Sequence, residues 1–339
     1  MIGIAIVGAG TWGETHCKSL TSLEDPGVQI HSISDIVPGK AQALAETYGI
    51  KHAYTDYRDA LAYNEVTAVI IATPDHLHTQ IAIDAANAKK HILVEKPLAT
   101  TSKDCLAIID AVEANKVIAM VDFHGRWNPV LHFAKNALVA NELGTLRYIT
   151  ATLSNRMSFP LERLRWAEKN GLLWFLGCHV IDLMHWFIGK EPSSVYAVRR
   201  EGALQAHGLQ AADFFLITLE FPGGVVVTLE HSWLLPKADP SIKEYEMKIV
   251  GEKGTLNLDL SHHRAVELIT DTTAFVPEMF AAPVVYGKNS GFVKTSLQHF
   301  LECVADNTKP FVGVHEGLVV TKIIEKIIES ADGRKKVFF

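Results

Sequence analysis

The stretch from Ile2 to His16 reads IGIAIVGAGTWGETH, an apolar run followed by glycines in the pattern G-x-G-x-x-G. The apolar run is typical of a buried β-strand, and the last glycine opens a helix. A strand that turns into a helix through such glycines leaves N–H groups of the first helical turn free to bind a pyrophosphate. Gly8, Gly10 and Gly13 therefore predict a βαβ unit that opens a dinucleotide-binding domain.

Asp35 follows the next apolar run, Val28–Ser34, and lies about 20 residues beyond the glycines. A carboxylate at this place accepts hydrogen bonds from the adenosine ribose hydroxyls, and it repels the additional phosphate of NADP. The sequence therefore favours NAD, with NADP less favoured, and Thr11 and Trp12 of the glycine loop are also expected to contact the cofactor. The alternative is a plain glycine-rich turn beside a solvated aspartate, which the register of strand, glycines, helix and acid disfavours.

Residues 1–122 alternate short apolar runs with amphipathic stretches, which is the pattern of repeated βα units. Several runs are apolar at consecutive positions, as in parallel strands that are covered on both faces. The expected fold is α/β, with an N-terminal Rossmann domain built on a parallel sheet. Its strands are predicted at Ile4–Val7, Val28–Ser34, Val66–Ala72, His91–Glu95 and Val117–Val121, and its later helices at Ala41–Tyr48, Thr79–Ala88 and Ser102–Asn115.

After Asp122 the pattern changes, and residues 123–339 are expected to form an α+β domain with a large, mostly antiparallel sheet. Two hairpins are indicated, because strand-like runs flank the turn at Pro222–Gly224 and the turn at Gly251–Gly254. The predicted elements are a helix at Pro129–Asn141, a strand at Leu146–Leu153, an apolar helix within Gly171–Gly189, hairpin strands at Phe215–Phe221, Val225–Trp233, Tyr245–Val250 and Thr255–Leu260, and a helix at Gly317–Ala331 that is a candidate to pack back on the first domain.

The strands of the predicted C-terminal sheet alternate in character. In the run Phe215–Phe221, Leu216, Thr218 and Glu220 point to one face and the intervening residues to the other. If no helix covers the second face, another subunit is a candidate to cover it. A homodimer or homotetramer formed through the C-terminal sheet is therefore expected.

The composition excludes several classes of function. The 339 residues carry a net charge of −6 with scattered lysines and arginines, which disfavours nucleic-acid binding. The four cysteines lie far apart without a CxxC pair, which disfavours a disulfide framework or a structural zinc site. A strand-like run begins at Ile2 without a targeting segment ahead of it, so a cytoplasmic location is expected. The apolar stretch Gly171–Gly189 contains three ionisable residues, and a buried helix is favoured there over a membrane span.

Five sequence blocks, in order and over nearly the whole chain, resemble the glucose-fructose oxidoreductase / inositol dehydrogenase / rhizopine-catabolism (Gfo/Idh/MocA) family. The blocks are specific for the family and name no substrate. They are GAGTWGETH (Gly8–His16), ATPDHLH (Ala72–His78), HILVEKPLA (His91–Ala99), GRWNP (Gly125–Pro129) and GCHVIDLMHW (Gly177–Trp186).

Lys96 directly follows a predicted parallel strand, at the end where ligands of open α/β sheets bind. An ammonium there can bind a hydroxyl or carbonyl oxygen and stabilise negative charge on it during hydride transfer. The family resemblance implies that Lys96 is the catalytic or substrate-orienting lysine, with Glu95 shaping the nicotinamide pocket. Without the resemblance, a salt bridge at the end of a strand is an equally good interpretation.

His179 is the second candidate for catalysis, because a neutral imidazole can accept the proton of an alcohol. Asp182 lies one helical turn further on and is a candidate to orient it or to contact substrate. The alternative is a buried structural histidine. Family dehydrogenases commonly place an aspartate four residues before this histidine, and this chain has Phe175 there. The carboxylate that would raise the basicity of the histidine is therefore missing.

The remaining candidates follow predicted strands or flank the apolar helix. By resemblance, Thr73, Pro74, Asp75 and His78 line the nicotinamide-ribose side of the cofactor site. A histidine pair in this segment without a carboxylate or cysteine partner is a weak metal signal, and no metal is expected. Two further residues are candidates near the substrate. Arg126 is expected to anchor an anionic or polyhydroxylated compound, with a surface salt bridge as the alternative. Trp166 is expected either to form a wall of the pocket or to fill the core.

The expected activity is the reversible oxidation of a secondary alcohol on a sugar, polyol or related cyclic compound, with hydride transfer to NAD and with Lys96 and His179 handling the proton. A second hypothesis is a glycosidase that uses NAD transiently, oxidising and later reducing the same sugar. A third is a non-catalytic NAD-dependent sensor or corepressor. Phe175 favours this third hypothesis, whereas the presence of Lys96 and His179 disfavours it.

Overall fold

The computed structural model describes residues 1–164, 171–261, 266, 268–270 and 274–339, with the backbone alone for residues 274 and 275. Contacts within the chain define two compact units. Unit 1 comprises Met1–Trp127 and Phe280–Thr321, and unit 2 comprises Asn128–Met279 and Lys322–Phe339. Each unit is thus assembled from two separate segments, whereas the sequence predicts two continuous ranges that meet at residues 122 and 123.

Helices and strands are numbered in chain order. The helices are α1 (Thr11–Thr21), α2 (Lys40–Tyr48), α3 (Tyr57–Leu61), α4 (His78–Asn87), α5 (Ser102–Asn115), α6 (Pro129–Val139), α7 (Ser158–Arg163), α8 (Cys178–Ile188), α9 (Phe292–Asp306) and α10 (Val314–Gly333). The strands are β1 (Ile2–Val7), β2 (Val28–Ser34), β3 (His52–Tyr54), β4 (Ala68–Ile71), β5 (His91–Val94), β6 (Ala119–Val121), β7 (Leu146–Arg156), β8 (Ser194–Arg200), β9 (Phe214–Phe221), β10 (Val225–Leu235), β11 (Lys243–Gly251), β12 (Thr255–Asp259), β13 (Leu268–Ile269), β14 (Ala274–Phe275), β15 (Val284–Val285), β16 (Lys288–Asn289) and β17 (Val337–Phe338).

Unit 1 contains a six-stranded sheet with the order β3-β2-β1-β4-β5-β6, and every pairing in it is parallel. This is the strand order of a Rossmann fold, as the sequence predicts. The central strands β4 and β5 are almost entirely buried, which explains their consecutive apolar residues. Strand β3 is absent from the prediction, because three residues with two aromatic rings and one alanine carry too little pattern to be recognised.

Helix α9 is also absent from the sequence-based prediction. It returns to unit 1 from the far end of the chain, and Leu297 and Phe300 pack into the core formed by Ile4, Ile6 and Ile70. Its apolar residues do follow helical spacing, so the pattern for a helix was present in the sequence. Tertiary contacts decide which core this apolar helix face packs into.

Unit 2 contains a seven-stranded sheet with the order β12-β11-β7-β10-β9-β8-β17. Both predicted hairpins, β9 with β10 and β11 with β12, are present and antiparallel. The one parallel pairing in this sheet joins β7 to β10 at its centre. The prediction of a large, mostly antiparallel sheet is confirmed.

One face of the unit 2 sheet is buried and the other is open. Phe215, Ile217 and Leu219 of β9 are buried, whereas Leu216 is 48% exposed and Tyr196 of β8 is 46% exposed. The predicted alternation along β9 is therefore confirmed. The open face presents aromatic and aliphatic side chains of several strands, namely Tyr148, Tyr196, Leu216 and Val226.

The apolar stretch predicted as a single helix has two parts. Residues Leu173–Gly177 are π-helical, and α8 continues from Cys178 to Ile188 and ends at Gly189 with φ +70°. A left-handed glycine of this kind is a common helix terminator. Within the described part of the chain, no helix combines the length and the apolar character that crossing a membrane requires.

Candidate active site

The glycine loop between β1 and α1 is tightly packed at Gly8 and Gly13 but has open space beside Gly10. A Cβ added at Gly13 would lie 1.9 Å from the carbonyl oxygen of Gly8, and Gly8 itself has φ +105°. By contrast, a Cβ added at Gly10 would meet no heavy atom of the described residues within 4 Å. Gly10 is also the N-cap of α1, so it has no side chain to cover the N–H groups of the first helical turn. The loop therefore fits a diphosphate that approaches the backbone.

Asp35 lies directly beside this loop. Its carboxylate accepts hydrogen bonds from the N–H of Ala9 and from the N–H of Val37, both at 2.8 Å. A carboxylate has about four lone-pair positions, so two remain for ribose hydroxyls. Asp35 follows β2 directly, as the sequence predicts. Its carboxylate also links the glycine loop at Ala9 to the segment after β2 at Val37.

The segments that follow β4 and β5 are joined by His78. Its Nδ1 lies 2.8 Å from the carbonyl oxygen of Pro97, and its Nε2 lies 3.0 Å from that of Thr73. Burial lowers the pKa of His78, although the interactions with these two carbonyl oxygens act in the opposite direction. His78 is 1% exposed. The sequence predicts that His78 lines the cofactor site. In the structure its buried ring links the two segments that follow β4 and β5.

Thr73 and Asp75 lie in the first of these segments. The Thr73 hydroxyl is buried and has no hydrogen-bond partner among the residues that the structure describes. An unsatisfied buried hydroxyl is costly, and a bound cofactor would satisfy it. Burial raises the pKa of Asp75, although the charges of His78 and Lys96 act in the opposite direction. Pro74 lies between them as the residue before the short 3-10 turn Asp75–Leu77.

Lys96 and Glu95 follow β5 directly, at the carboxyl edge of the parallel sheet, and both side chains are buried. The peptide bond between Lys96 and Pro97 is cis. One edge of the unit 1 sheet therefore brings together the glycine loop, Asp35, the segment that begins at Thr73, and Lys96. The sequence predicts these residues for cofactor binding, and their assigned roles remain predictions.

Glu95 belongs to a buried network of charged and polar groups. His16 Nε2 lies 2.9 Å from Glu95 Oε1, and the ligand atoms of His16, Glu95 and Asp122 lie within 4.8 Å of one another. The Ser296 hydroxyl donates to Asp122 Oδ1 at 2.6 Å, and His124 Nδ1 lies 3.8 Å from Asp122 Oδ2. We call these five residues the charged network. His16 and Asp122 are both fully buried.

Interactions within the network outweigh the effect of burial on the pKa values of His16 and Asp122. Burial by itself lowers the pKa of His16, but the hydrogen bond to Glu95 and the charges of Glu95 and Asp122 raise it above its ordinary value. Burial by itself raises the pKa of Asp122, but its interactions with His124 and His16 and the hydrogen bond from Ser296 lower it below its ordinary value. We interpret the cluster as a charge-assisted hydrogen-bond network, in which protonated His16 holds the Glu95 carboxylate.

Sequence reasoning missed the charged network, although part of its pattern was visible. His16 ends the block GAGTWGETH one turn beyond Gly13, and Asp122 directly follows β6, beside the end of β5. Carboxyl ends of neighbouring parallel strands meet at one edge, so Glu95 and Asp122 could have been placed together. The contribution of Ser296 from α9 depends on a helix that the prediction lacked.

Two further predicted residues lie near this network in unit 1. The ring of Trp12 lies 5.2 Å from that of His124, measured between centroids. Arg126 is buried in the 3-10 turn His124–Trp127 and donates from Nη1 to the carbonyl oxygen of Phe311 at 3.4 Å. Part of the Arg126 guanidinium is thus used within unit 1.

The predicted substrate residues of unit 2 lie on one helix. His179 is the second residue of α8 and is half-buried, whereas Asp182 is 1% exposed. Burial raises the pKa of Tyr245, and the charge of Asp182 raises it further. The burial of Asp182 favours a supporting role over direct contact with substrate. Trp166 lies outside the described residues.

Phe175 belongs to a group of three aromatic side chains. Its ring centroid lies 5.6 Å from that of Phe159 and 5.6 Å from that of Trp233. The rings of Phe159 and Trp233 are 6.4 Å apart and nearly parallel. Two residues before Trp233 on β10, burial lowers the pKa of His231 to about 4, so this ring is neutral near neutral pH. Two buried nitrogens in this region, Trp233 Nε1 and His231 Nε2, have no hydrogen-bond partner among the residues that the structure describes.

Comparison with known families matches both parts of the chain. Residues 2–123 match the oxidoreductase family with an NAD-binding Rossmann fold, and residues 135–339 match the C-terminal alpha/beta domain of the same family. The cofactor class and the sheet architecture expected from the sequence are therefore confirmed.

Several individual proteins are similar as well. A 4-carboxy-2-hydroxymuconate-6-semialdehyde dehydrogenase from Sphingobium is 36% identical over 55% of this chain, a match that covers 59% of that protein and thus less than two thirds of its length. The NAD-dependent scyllo-inositol 2-dehydrogenase of Bacillus subtilis is 26% identical over 91% of this chain and 87% of its own length.

Among solved structures, the scyllo-inositol dehydrogenase of Lactobacillus casei with bound NAD(H) and scyllo-inositol superposes with a TM-score of 0.83 at 19% identity, over 100% of this chain and 99% of that one. At this identity the likeness shows the fold alone. The matches to both family domains go further, and together with the parallel sheet, the glycine loop and Asp35 they establish the family. The chain is a member of the Gfo/Idh/MocA oxidoreductases, with the NAD-binding Rossmann domain of that family followed by its C-terminal α/β domain.

Proposed function

We propose that this protein oxidises a secondary alcohol of a sugar, polyol or related cyclic compound to the ketone, and that the reaction is reversible. The carbinol carbon loses a hydride and the hydroxyl loses a proton. NAD, when bound, accepts the hydride. The relatives named for inositols support this substrate class, and the relative named for an unsaturated semialdehyde indicates that the family is not restricted to polyols.

The observation that carries the proposal is the set of groups at the carboxyl edge of the unit 1 sheet. The open space above Gly10, the carboxylate of Asp35 and the unsatisfied Thr73 hydroxyl provide the groups that a dinucleotide needs. Lys96 follows β5 at the same edge. Its ammonium binds the substrate oxygen and stabilises negative charge on it as the hydride leaves.

His179 is proposed to accept the hydroxyl proton. Its half-buried position near the start of α8 leaves part of the ring accessible. An imidazole can accept a proton and return it, which suits both directions of a reversible reaction. Asp182 is proposed to support the helix from its buried position, and Arg126 is proposed as an anchor for substrate hydroxyls.

The test is to mix the protein with NAD and a panel of polyols and sugars and to follow nicotinamide absorbance. We expect turnover that Lys96→Met reduces by about a thousandfold, since a pre-placed charge at a developing oxyanion has an effect of this order. Lys103→Met, which removes an exposed lysine of α5, is the matched control and is expected to retain wild-type rates.

Three outcomes would contradict the proposal. Turnover that persists in Lys96→Met would remove the lysine from the mechanism. Release of a sugar from a glycoside that requires NAD but causes no net absorbance change would instead indicate a glycosidase. Tight NAD binding without conversion of any compound would favour a sensor.

We also propose that the open face of the unit 2 sheet pairs with a second copy of the chain. Its exposed apolar side chains include Leu216 of β9 and Tyr196 of β8, whose positions differ by two residues in the register of these neighbouring strands. Exposed apolar side chains on an open sheet face are typical of subunit interfaces. A symmetric pair brings the same patch of both copies together.

A further inference from the structure

Four ring side chains pack together where β2 and β3 form the edge of the unit 1 sheet. They are His31 of β2, His52 and Tyr54 of β3, and Tyr63 in the segment between α3 and β4. The ring centroids of His31 and His52 are 4.9 Å apart, and that of Tyr63 lies 5.1 Å from His31 and 5.6 Å from His52. Tyr54 lies 6.1 Å from both His52 and Tyr63. We call these four residues the histidine–tyrosine cluster.

The cluster packs against a strand that has few contacts of its own. Strand β3 has three residues and pairs, among the described strands, with β2 alone. Its middle residue, Ala53, packs against the core of unit 1. Because side chains alternate along a strand, His52 and Tyr54 point to the opposite face, where they meet the other two rings. Tyr63 is itself fixed, since the ammonium of Lys90 donates to its carbonyl oxygen at 2.8 Å. The rings therefore contribute packing that so short an edge strand needs.

The last residue of β3 supports the segment that is proposed to bind the adenosine ribose. The carbonyl oxygen of Tyr54 accepts a hydrogen bond from the N–H of Asp35 at 3.1 Å. The position of β3 therefore determines where this acceptor lies. The Asp35 carboxylate in turn accepts a hydrogen bond from the N–H of Ala9 in the glycine loop. One series of contacts thus joins the histidine–tyrosine cluster to two parts of the cofactor site.

The two histidines make this support sensitive to acid. Nδ1 of His31 is buried and has no hydrogen-bond partner among the residues that the structure describes. A protonated imidazole carries a hydrogen on both nitrogens, so protonation of His31 would leave a buried N–H without an acceptor, which is costly. Two protonated rings at 4.9 Å would also repel each other. Acid therefore disfavours the packed arrangement of the rings.

The charges around His31 act in both directions. Burial lowers the pKa of His31, the charges of His52, Lys51 and Lys90 lower it further, and the Glu65 carboxylate raises it. The balance lies below the ordinary value of 6.5. The neutral ring therefore stabilises the folded edge fully above about pH 6.5, and this contribution is lost as the pH falls through the lowered pKa.

The tyrosines of the cluster border a different set of groups. Burial, together with the Tyr63 hydroxyl and the Asp59 carboxylate, raises the pKa of Tyr54 to about 12. This phenol is therefore uncharged over the whole range in which histidines titrate. The change of charge at low pH thus belongs to the two imidazoles.

We propose that the histidine–tyrosine cluster positions Asp35 through β3, and that protonation of its two histidines weakens the binding of NAD. His31 and His52 are positioning residues, which act through the strand and its Tyr54 carbonyl oxygen. Near neutral pH the uncharged rings pack together and hold β3 against β2. In acid the charged rings separate, and Asp35 loses its fixed place beside the glycine loop. The inference rests on the role proposed for Asp35 and is independent of the alcohol that is oxidised.

The experiment measures binding by calorimetry at about pH 7.5 and about pH 5, on both sides of the range in which histidines titrate. The ligand is ADP-ribose, which contains the adenosine and the diphosphate but lacks the nicotinamide. NAD and NADP are titrated at the higher pH to measure the preference between them. His31→Phe and His52→Phe keep a ring without its charge, and His31→Ala removes the ring. His315→Phe, at an exposed position of α10 in unit 1, is the matched control.

We expect the wild type and His315→Phe to lose roughly tenfold in affinity for ADP-ribose between the two pH values. His31→Phe and His52→Phe should each bind like the wild type at the higher pH and lose at most about threefold in acid. His31→Ala should bind roughly three- to tenfold more weakly at the higher pH, because β3 loses packing. It should also lower the preference for NAD over NADP, since Asp35 is no longer fixed, and His31→Phe should restore this preference.

Thermal unfolding at both pH values checks that each variant is folded, and having two independent histidines keeps the test valid if one variant does not fold. An equal loss of affinity in the wild type and in both phenylalanine variants would overturn the inference. So would an unchanged preference for NAD in His31→Ala, or no binding of ADP-ribose by the wild type at either pH. The expected binding results without oxidation of any alcohol would refute the proposed function alone.

Discussion

Gly10 and Gly13 are glycines for different reasons, although they belong to one motif. Gly13 has no space for a side chain, because a Cβ would lie 1.9 Å from the Gly8 carbonyl oxygen. Gly10 has φ −88°, which any residue adopts, and a Cβ there would meet no described heavy atom within 4 Å. Gly13 is therefore required by the fold, and Gly10 is required by the ligand that approaches the loop.

This difference predicts opposite results for two similar substitutions. Gly13→Ala should destabilise the fold by about 1–3 kcal/mol, as overpacking does, and lower the melting temperature. Gly10→Ala should leave the melting temperature nearly unchanged but weaken NAD binding by at least tenfold, because the methyl group occupies the space of the diphosphate. Thermal unfolding and calorimetric titration with NAD measure the two effects. Unchanged NAD affinity in Gly10→Ala would place the cofactor elsewhere.

Asp35 acts at the residue scale on cofactor choice. Its carboxylate is held by the N–H groups of Ala9 and Val37, so its charge is fixed beside the glycine loop. A fixed negative charge repels a ribose phosphate and accepts bonds from ribose hydroxyls. The preference for NAD over NADP follows from the position of this one side chain.

At the scale of elements, the charged network connects five parts of unit 1. His16 comes from α1, Glu95 and Asp122 from the ends of β5 and β6, His124 from the 3-10 turn His124–Trp127, and Ser296 from α9. Lys96 is the neighbour of Glu95 in the chain, so the network fixes the backbone from which the proposed catalytic lysine extends. We regard His16 as a positioning residue for this segment.

The network predicts a loss of stability at alkaline pH. The pKa of His16 is raised above 6.5, so its contribution is fully present below pH 6.5 and is lost as the pH rises through the raised value. His16→Gln should cost roughly 3–5 kcal/mol, because it leaves the buried Glu95 carboxylate without its positive partner. It should also remove the dependence of the melting temperature on alkaline pH.

His207→Gln, an exposed substitution in unit 2, is the control for the His16 experiment and should retain the wild-type profile. Melting temperatures between pH 6 and pH 10, roughly the span in which a histidine with a raised pKa deprotonates, provide the measurement. If the alkaline slope were the same in His16→Gln as in the wild type, the histidine would be neutral and the network would not be charged.

At the scale of the whole molecule, the open face of the unit 2 sheet predicts self-association. We expect the protein to elute from gel filtration as a dimer or a larger oligomer. Leu216→Glu should shift it toward the monomer, because a charge buried in an apolar interface costs several kcal/mol. Val139→Glu, at a position of α6 that is 72% exposed, should leave the oligomer unchanged. A monomeric wild type would refute the proposed pairing.

Several parts of the site could be predicted from the sequence because their determinants are local. The glycine loop, Asp35 and the segments after β4 and β5 each follow a strand directly, and parallel strands place their carboxyl ends at one edge. The charged network could not be predicted as a whole, since His16 and Glu95 are 79 residues apart and Asp122 and Ser296 are 174 apart. No pattern within a short window contains such pairs.

Local periodicity thus determined the Rossmann architecture, the two hairpins and the nucleotide-binding loop, since each depends on residues that follow one another in the chain. Tertiary packing alone decided the return of α9 to the first unit, the position of His78 beneath the segments it joins, and the grouping of Phe175 with Phe159 and Trp233. The physical reason is that burial and partner choice arise from surfaces brought together by folding, whereas turns, caps and strand alternation arise from neighbouring backbone groups.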